Sequence, residues 1–578
     1  MGKVIMIQAI NHMGKKLVTV LGIHDGHNAG ASLIQDGKVL AAINEERLNN
    51  IKNYSGAPIL AIKKVFEITG VKPFEVDRVA IASLLRLDDP VKVEGNKLHF
   101  LAEHAAPLMH EKLIINTAVT LFSKFRKIKD IVEVLDELGI EKKKIGFVEH
   151  HLAHAACAYY QRPWNDKTLV LTLDGMGDGL SATVSIGNNF SIKRIAQTSF
   201  YDSLGNNLYS EITAYLGMKR WEHEYKLMGL APYGKPDKII DILRKVVRIN
   251  PKKPLEFENI SGHYLKKMQI FYQKALAGQR FDNIASATQK LFEELVLQWV
   301  KNSIKETKIH KVVCAGGTFL NVKLNKLVRE LEEVDEVFFY PASEDGGAAV
   351  GAAMEGYYRF CEETAEVPKK INITDVYYGQ QYSHSQIEDF IKSKRLGRRA
   401  RRVSSSQIAK LLSKGEIIAR FCGRDEWGPR ALGNRSIMAD PRNMQVVRKI
   451  NFAIKQRDFW MPFAPSVLEE DQGRYFKKSR FSPYMVEAFD SKEDAKEIIA
   501  GLHPFDLTGR PQTVNGWNPG WQEIIREFKK ITGVGGILNT SFNLHGYPLV
   551  GSPETALWTF MNSDLDGLVL GEWLIRKK

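Results

Sequence analysis

Apolar runs broken by glycine-containing turns occur in the same order in two stretches of the chain. Residues 17–43 (LVTVLGIHDGHNAGASLIQDGKVLAAI) and residues 169–195 (LVLTLDGMGDGLSATVSIGNNFSIKRI) each contain three apolar segments separated by two turns. This pattern is typical of adjacent β-hairpins. In both stretches the first apolar segment ends in Asp-Gly, which aligns Asp25 with Asp174. The sequence therefore predicts a duplicated β-β-β unit.

Two later segments place glycine-rich turns in front of helices. VVCAGGTFLNVKLNKLV (312–328) reads as strand, Gly-Gly turn and helix, and EDGGAAVGAAMEGYY (344–358) as turn and helix. Such turns suit phosphate or nucleotide binding, because the helix N-terminus attracts anions and glycine permits close approach. With the duplicated unit, they resemble the actin-like ATPase superfamily, whose two ribonuclease H-like lobes bind phosphates in a cleft. The expected nucleotide contacts are Gly316, Gly317, Asn321 and Gly346.

The pattern changes near residue 361. From there to residue 375 the chain is polar and aperiodic, and beyond it short strands such as GEIIARFCGR alternate with loops rich in Arg, Asn, Pro and Gly. A chain of 578 residues is also too long for one hydrophobic core. We therefore expect an N-terminal α/β domain over 1–368 and a C-terminal α+β domain over 369–578.

Composition narrows the class of protein. The chain is 44% apolar and 26% charged, and no apolar run approaches the roughly 20 residues that span a bilayer. We see no signal peptide in the first 20 residues and no paired spacing among the four cysteines, so we expect a cytoplasmic protein without a membrane partner. The net charge of +14 fits nucleic acid or anionic substrates. The densest basic cluster, residues 392–402, lacks interleaved aromatics, so we interpret it as a solvated face.

The segment VEHHLAHAACAYY (148–160) carries candidate metal ligands. In a helix, His150 and His154 are one turn apart and share a face. Together with Asp174 and Asp345, they would form a site with two imidazoles, carboxylates and open positions, suited to Fe(II), Mn(II) or Zn(II). A purely structural histidine pair is the alternative.

The first Asp-Gly turn, GIHDGHNAGA, adds His24 and His27. A neutral histidine at a strand end in a cleft can act as a general base toward an alcohol. The alternative is a histidine whose ring is satisfied by backbone groups of the turn. We interpret RWEHEYKLMGLAPYG (220–234) as a loop lining the cleft, with Lys226 as a candidate phosphate contact or a solvated residue.

Anion-binding residues cluster in the C-terminal region. The segment 420–443 is rich in arginine, which pairs bidentately with phosphate or carboxylate. Lys455 and Arg457 precede a further apolar stretch, and polar residues follow the strand near residue 538. Together they suggest a site for a nucleotide triphosphate and a second small anion. Besides the Lys-x-Arg pair, the expected contacts are Arg424, Arg430, Arg435, Asn539, Ser541 and Asn543.

Specific motifs resemble one family. HDGHNAGASLI, EHHLAHAACAYY, LTLDGMGDG, YKLMGLAPYG, CAGGTFLNVKLN, EDGGAAVGAA, GRDEWGPRALGNRSIMADPR, FWMPFAPSVL and NTSFNLHGYPLV occur in the order seen in the O-carbamoyltransferases of nodulation and antibiotic tailoring. The N-terminal part is similar to the transferase that makes threonylcarbamoyladenosine in tRNA. The C-terminal part resembles the YrdC-like α/β fold, whose Lys-x-Arg and Ser-x-Asn anion contacts match Lys455, Arg457, Ser541 and Asn543.

The resemblance implies a two-step, ATP-dependent carbamoyl transfer. Carbamoyl phosphate and ATP (with Mg²⁺) would form carbamoyl-AMP in the C-terminal domain. An N-terminal divalent metal, iron in the family's pattern, would hold the phosphate while a hydroxyl acceptor attacks. The family's ligand positions fall on His150, His154 and Asp345, and Asp174 fits the second phosphate turn. His24 would be the base, with His27 in reserve.

Other functions remain open at this stage. A tRNA threonylcarbamoyl transferase fused to its synthase fits both folds, and a non-catalytic nucleotide- or RNA-binding protein would fit the fold alone. The GPRALGNRS stretch favours O-carbamoyl transfer to a small molecule rather than to nucleic acid. The sequence does not identify the acceptor, the metal, the oligomeric state or a role for residues 1–16.

Overall fold

The structure, a computed structural model, describes residues 17–85 and 128–577. The N-terminal segment 1–16 therefore lies outside the described residues. Among the helices of the described ranges, none has both the length and the apolar composition that a membrane span requires.

The first lobe is built on a five-stranded sheet of order β3-β2-β1-β4-β5. Its strands are β1 (Thr19–His24), β2 (Gly30–Gln35), β3 (Lys38–Asn44), β4 (Arg78–Ala82) and β5 (Ile145–Val148). Strands β1 to β3 form the predicted antiparallel hairpins, whereas β4 and β5 add in parallel. Its helices are α1 (Glu46–Asn49), α2 (Ile59–Thr69) and α3 (Lys129–Glu137).

The second lobe repeats this topology. Its strands are β6 (Thr168–Gly177), β7 (Leu180–Asn188), β8 (Ser191–Ser199), β11 (Lys311–Ala315) and β12 (Glu336–Phe339). The order β8-β7-β6-β11-β12 matches that of the first lobe, with the same antiparallel hairpins and parallel additions. This repeat confirms the predicted duplicated, actin-like N-terminal fold.

Two helices join the lobes. Helix α4 (His150–Gln161) follows β5, and helix α11 (Ala348–Thr364) crosses it and packs on β1 and β4. The two backbones meet at Gly351, where a Cβ atom would lie only 1.9 Å from the carbonyl oxygen of Ala153. Glycine at this position permits the close crossing that sets His150 opposite the turn before α11.

The remaining elements of the second lobe cover its outer face and one wall of the interlobe cleft. They are β9 (Val247–Ile249), β10 (Phe257–Asn259), α5 (Glu211–Tyr215), α6 (Glu224–Leu230), α7 (Ile239–Leu243), α8 (Lys266–Ala275), α9 (Phe281–Thr307) and α10 (Val322–Arg329). The prediction of a loop over 220–234 was wrong for its second half. Leu227 and Leu230 are buried three residues apart, so that segment has an apolar face and forms α6 despite its glycine.

The C-terminal region is a sheet-rich α/β domain, as predicted. Its eight-stranded sheet has the order β13-β20-β19-β14-β15-β18-β16-β17. The strands are β13 (Ala400–Arg402), β14 (Ile418–Phe421), β15 (Arg435–Ala439), β16 (Ala464–Leu468), β17 (Gln512–Val514), β18 (Gly536–Ser541), β19 (Gly567–Leu570) and β20 (Trp573–Ile575). The helices are α12 (His384–Ser393), α13 (Ser405–Ser413), α14 (Gln445–Ile450), α15 (Gln472–Tyr475), α16 (Pro519–Thr532) and α17 (Pro553–Met561).

Candidate active site

One large cavity is lined by both lobes and by the C-terminal region. Its volume is about 1840 Å³, enough for several small molecules at once. The first lobe contributes the β1 turn, the second lobe contributes the β6 turn and α6, and the C-terminal region contributes arginine and lysine side chains. Two groups of residues in this cavity differ sharply in charge.

The first group, which we call the histidine–aspartate cluster, consists of His150, His154, Asp174 and Asp345. The carboxylate of Glu149 caps α4 by accepting hydrogen bonds from two backbone N–H groups, and this cap fixes the turn that carries both histidines. Asp174 lies in β6, and Asp345 lies in the turn before α11. One ligand atom from each of the four side chains lies within 4.8 Å of all the others.

The distances within this cluster fit a bound cation. The two Nε2 atoms are 3.0 Å apart, and the Nε2 to carboxylate distances are 3.3, 3.5, 3.8 and 3.3 Å. Ligands of a tetrahedral ion at about 2.0–2.1 Å lie ~3.4 Å from one another. Two imidazole nitrogens with two carboxylate oxygens also suit divalent first-row metals. The residues therefore fit a divalent transition metal ion.

The pKa values of His154 and Asp174 reflect the attraction between opposite charges within the histidine–aspartate cluster. Burial lowers the pKa of His154, but the nearby carboxylates of Asp174 and Asp345 outweigh burial and raise it to about 10. For Asp174, burial acts to raise the pKa, and the two histidines reverse this effect and hold that pKa well below its usual range. The cluster is thus held together by its own opposite charges.

The predicted base His24 ends β1 and is buried beside the cluster. Its ring centroid lies 6.4 Å from that of His150, and its Nε2 lies 3.0 Å from the carbonyl oxygen of His27. Nε2–H therefore donates to the turn, and within the described residues Nδ1 has no hydrogen-bond partner. Burial lowers the pKa of His24 to about 4, so the ring is neutral near pH 7. His27 itself lines the cavity.

The glycine-rich turns adjoin the same cluster. Gly317 N–H donates to Asp174 Oδ1 over 2.9 Å, and Gly316 has a φ of 101° with no room for a side chain against Leu173. Asn321 lines the cavity and also caps α10 through Oδ1. Gly346 lies beside Asp345 in the second turn.

The second group, the cationic cluster, consists of Arg430, Lys455, Arg457 and Arg510, and all four line the cavity. Burial lowers the pKa of each of these side chains, and repulsion from other cations of the group lowers it further for Lys455, Arg430 and Arg510. The carboxylate of Glu344 acts against burial at Arg430 and raises its pKa. Lys455 Nζ donates to Asn543 Oδ1 (2.7 Å) and Ser541 Oγ (3.1 Å), so these three predicted anion contacts lie together. In the described part of the chain, none of the four cations forms an ion pair with a carboxylate.

Arg510 was missed by the sequence analysis. It stands alone between Gly509 and Pro511 in a loop, with no motif around it. Only the folding of that loop against the arginine-rich segment brings Arg510 near Arg430 and Arg457.

Three predicted nucleotide contacts lie away from the cavity. Arg424 donates to the carbonyl oxygens of Gly379, Leu40 and Tyr378. The Arg435 guanidinium is fully buried on the ring of Phe421 and donates to main-chain carbonyls.

Asn539 was placed by the sequence just past a strand, but β18 continues to Ser541 and buries it. Its Nδ2 donates to Ala431 O and Ser466 Oγ. The structure therefore gives Arg424, Arg435 and Asn539 packing contacts instead of ligand contacts.

Lys226, on helix α6, lines the cavity. Its Nζ lies 3.1 Å from Asp458 Oδ2, so the charge of Lys226 is compensated by the C-terminal region. In the basic segment 392–402, all residues but Leu396 and Ala400 are exposed, in line with the interpretation of a solvated face.

Comparison with known proteins gives matches over most of the chain. The family model described as carbamoyltransferase N-terminus matches residues 19–354, and the model described as carbamoyltransferase C-terminus matches residues 409–577. Nodulation protein NolNO of Sinorhizobium fredii is 32% identical over 96% of this chain and 79% of its own length. The 3'-hydroxymethylcephem-O-carbamoyltransferase of Amycolatopsis lactamdurans is 26% identical over 73% of this chain and 79% of its own length. Among solved structures, full-length HypF in its phosphate- and nucleotide-bound form is 13% identical, with a TM-score of 0.33 over 61% of this chain and 57% of HypF.

Proposed function

The chain belongs to the carbamoyltransferase family, and from that premise we propose that it makes carbamoyl-AMP and transfers the carbamoyl group to a hydroxyl of a small-molecule acceptor. One observation carries the proposal. His150, Asp174 and Asp345 line the same cavity as the four residues of the cationic cluster, so an intermediate made at one group would pass to the other within this cavity. The predicted domains, 1–368 and 369–578, would each supply one of these groups.

We assign activation to the cationic cluster. ATP and carbamoyl phosphate are both anions, so Arg430, Arg457 and Arg510 would offset their mutual repulsion. Water cleaves carbamoyl phosphate to carbamate and phosphate. A carbamate oxygen then attacks the α-phosphorus of ATP, and the bond to pyrophosphate breaks, which gives carbamoyl-AMP. Lys455, held by Ser541 and Asn543, would contact the phosphates.

We assign delivery to the histidine–aspartate cluster. His150, His154, Asp174 and Asp345 would hold a divalent metal, with Fe²⁺ as the first candidate and Mn²⁺ or Zn²⁺ as alternatives. When bound, such an ion supplies positive charge that stabilises a phosphate leaving group. The N–H groups of Gly316 and Gly317 already donate to Ser343 O and Asp174 Oδ1, so Gly317, which lines the cavity, would instead leave room for the adenylate beside the ion.

His24 is the proposed general base. The acceptor hydroxyl attacks the carbamoyl carbon, its proton passes to Nδ1 of His24, and the bond to the AMP oxygen breaks. The lowered pKa keeps His24 unprotonated near pH 7, and its hydrogen bond to the His27 carbonyl oxygen leaves Nδ1 as the proton-accepting atom.

The proposal is tested by incubating the protein with ATP, Mg²⁺, carbamoyl phosphate and Fe²⁺ without oxygen, with and without acceptors. The acceptor panel contains sugars, aminocyclitols, a hydroxymethyl cephem and tRNA, and mass spectrometry follows carbamoyl-AMP and carbamoylated products. We expect carbamoyl-AMP in every reaction with both substrates and a carbamoylated small molecule in at least one. Absence of carbamoyl-AMP would contradict the activation step, and carbamoylation of tRNA alone would contradict the acceptor class.

A further inference from the structure

The two histidines of the proposed metal site differ in the hydrogen-bond partner of Nδ1, the ring nitrogen that faces away from the cluster. His150 Nδ1 is 3.0 Å from Ser83 Oγ, whereas His154 Nδ1 is buried and has no hydrogen-bond partner among the described residues. In the first case a hydroxyl oxygen is in place to accept a hydrogen bond from Nδ1–H. Metal-ligating histidines usually have such a partner, which fixes the tautomer and the ring orientation.

Ser83 is held in an uncommon backbone conformation. Its φ is 69°, in the left-handed region where residues other than glycine are uncommon, and it comes directly after strand β4. The neighbouring Asp178 also has a positive φ of 49°. Strained residues of this kind persist where surrounding contacts hold them, and they cluster at functional sites.

Asp178 supplies those contacts. Its carboxylate accepts hydrogen bonds from the backbone N–H groups of Leu84 (2.7 Å), Leu85 (2.8 Å) and His150 (2.7 Å). Asp178 belongs to the β6–β7 turn of the second lobe, Leu84 and Leu85 to the first lobe, and His150 to the helix between them. One carboxylate therefore fixes the Ser83 loop against the helix that presents His150.

We propose that Ser83, braced by Asp178, is a positioning residue for metal binding. His150 Nδ1–H donates to Ser83 Oγ, which leaves the Nε2 lone pair directed at the shared centre of the histidine–aspartate cluster. His154 lacks such a partner, so the affinity of the site depends on the orientation of His150. This inference rests on the proposed metal site and names a residue outside the four ligands.

The experiment measures binding of Co²⁺ alone to the full chain by its visible absorption, in three variants. Ser83→Gly removes the acceptor while glycine accommodates the positive φ, so its unfolding temperature should not fall. We expect its Co²⁺ dissociation constant to rise about 10- to 100-fold, the usual cost of losing such a partner. Ser83→Asn, which tolerates this φ and offers an amide oxygen, should regain much of the affinity. Asn50→Gly makes the same backbone change at an exposed left-handed residue outside the cavity lining and should bind Co²⁺ like the wild type.

The outcomes separate the two proposals. Failure of the wild type to bind Co²⁺ would overturn the metal site and this inference with it. Wild-type affinity in Ser83→Gly, when the wild type binds, would overturn the role of Ser83 and leave the metal site standing. If Ser83→Gly does not fold, the Co²⁺ affinities of Ser83→Ala and Ser83→Asn are compared instead. Equal affinities would overturn the role of Ser83, and weaker Co²⁺ binding by Ser83→Ala would support it.

Discussion

The two clusters in the cavity differ in their charges: one combines histidines with carboxylates, and the other contains only cations. The histidine–aspartate cluster brings two imidazole nitrogens and two carboxylate oxygens within 4.8 Å of one another, a donor set that suits a divalent cation. The cationic cluster groups three partly buried guanidinium groups with the buried ammonium group of Lys455, and none of them forms a carboxylate ion pair in the described residues. Partly buried cations without a carboxylate ion pair favour an anionic ligand, which supports the proposed phosphate site. The difference supports the proposal that one group handles polyanions and the other assists transfer with a metal ion.

The largest effect is expected from removing one charge of the cationic cluster, which should slow activation and leave transfer intact. Arg457→Ala should lower the rate of carbamoyl-AMP formation about 10³-fold or more, because arginine clamps on reacting phosphates contribute on that scale. Transfer from carbamoyl-AMP added directly should stay near the wild-type rate. Arg442→Ala is a matched control, since Arg442 pairs with Asp440 and does not line the cavity. Normal adenylate formation in Arg457→Ala would mean that activation occurs elsewhere.

The complementary change removes a proposed ligand. His154→Ala should lower metal content and slow transfer about 100-fold or more, since a Lewis acid is worth several kcal/mol and about 1.4 kcal/mol is a factor of ten. Metal analysis and transfer from added carbamoyl-AMP check this. The control is His151→Gln, because the His151 ring lies against Thr172 outside the cluster. Full metal occupancy in His154→Ala would contradict the assignment.

A smaller effect is expected for the base. His24→Asn should slow transfer by about 100-fold, the lower end for general-base catalysis, and should leave metal content and adenylate formation unchanged. Single-turnover kinetics with added carbamoyl-AMP measure this step alone. If the rate does not change, the role of base passes to His27.

The smallest effect concerns stability. ATP and Co²⁺ should each raise the unfolding temperature, with about 2.7 kcal/mol from each ligand at 100 times its dissociation constant. Arg457→Ala should abolish only the ATP shift and His154→Ala only the Co²⁺ shift. Calorimetry checks both. Loss of both shifts in one variant would show that the clusters are not separate sites.

The features that could be predicted from the sequence are those that depend on the local spacing of residues. The repeated Asp-Gly hairpins and the i, i+4 histidines predicted the duplicated lobes and the grouping of His150, His154, Asp174 and Asp345, because each depends on a short-range period and on the fold that the repeat implies. It could not separate Arg430, which lines the cavity, from Arg435, which is buried on Phe421. Arg430 lies in a loop and Arg435 begins strand β15 of the same arginine-rich segment, so the directions of the two side chains depend on tertiary packing.

Contacts between residues that are distant in the sequence could not be predicted from the sequence. Arg510 lies in a separate loop that approaches the arginine-rich segment. Ser83 contacts His150, although the two residues are 67 positions apart in the sequence. The glycine and proline of 220–234 favoured a loop, but burial of Leu227 and Leu230 outweighed that preference. Contacts between distant segments are therefore the part of the site that only the folded structure reveals.

The central claim is that activation and delivery occur at separate clusters of one cavity. The most direct measurement is a quenched single-turnover reaction of His154→Ala with ATP, Mg²⁺ and carbamoyl phosphate, with carbamoyl-AMP quantified by mass spectrometry. We expect the variant to form and retain carbamoyl-AMP in amounts close to its own concentration while it yields no carbamoylated product from an acceptor that the wild type uses. Loss of carbamoyl-AMP formation in His154→Ala, with the protein folded, would contradict the separation.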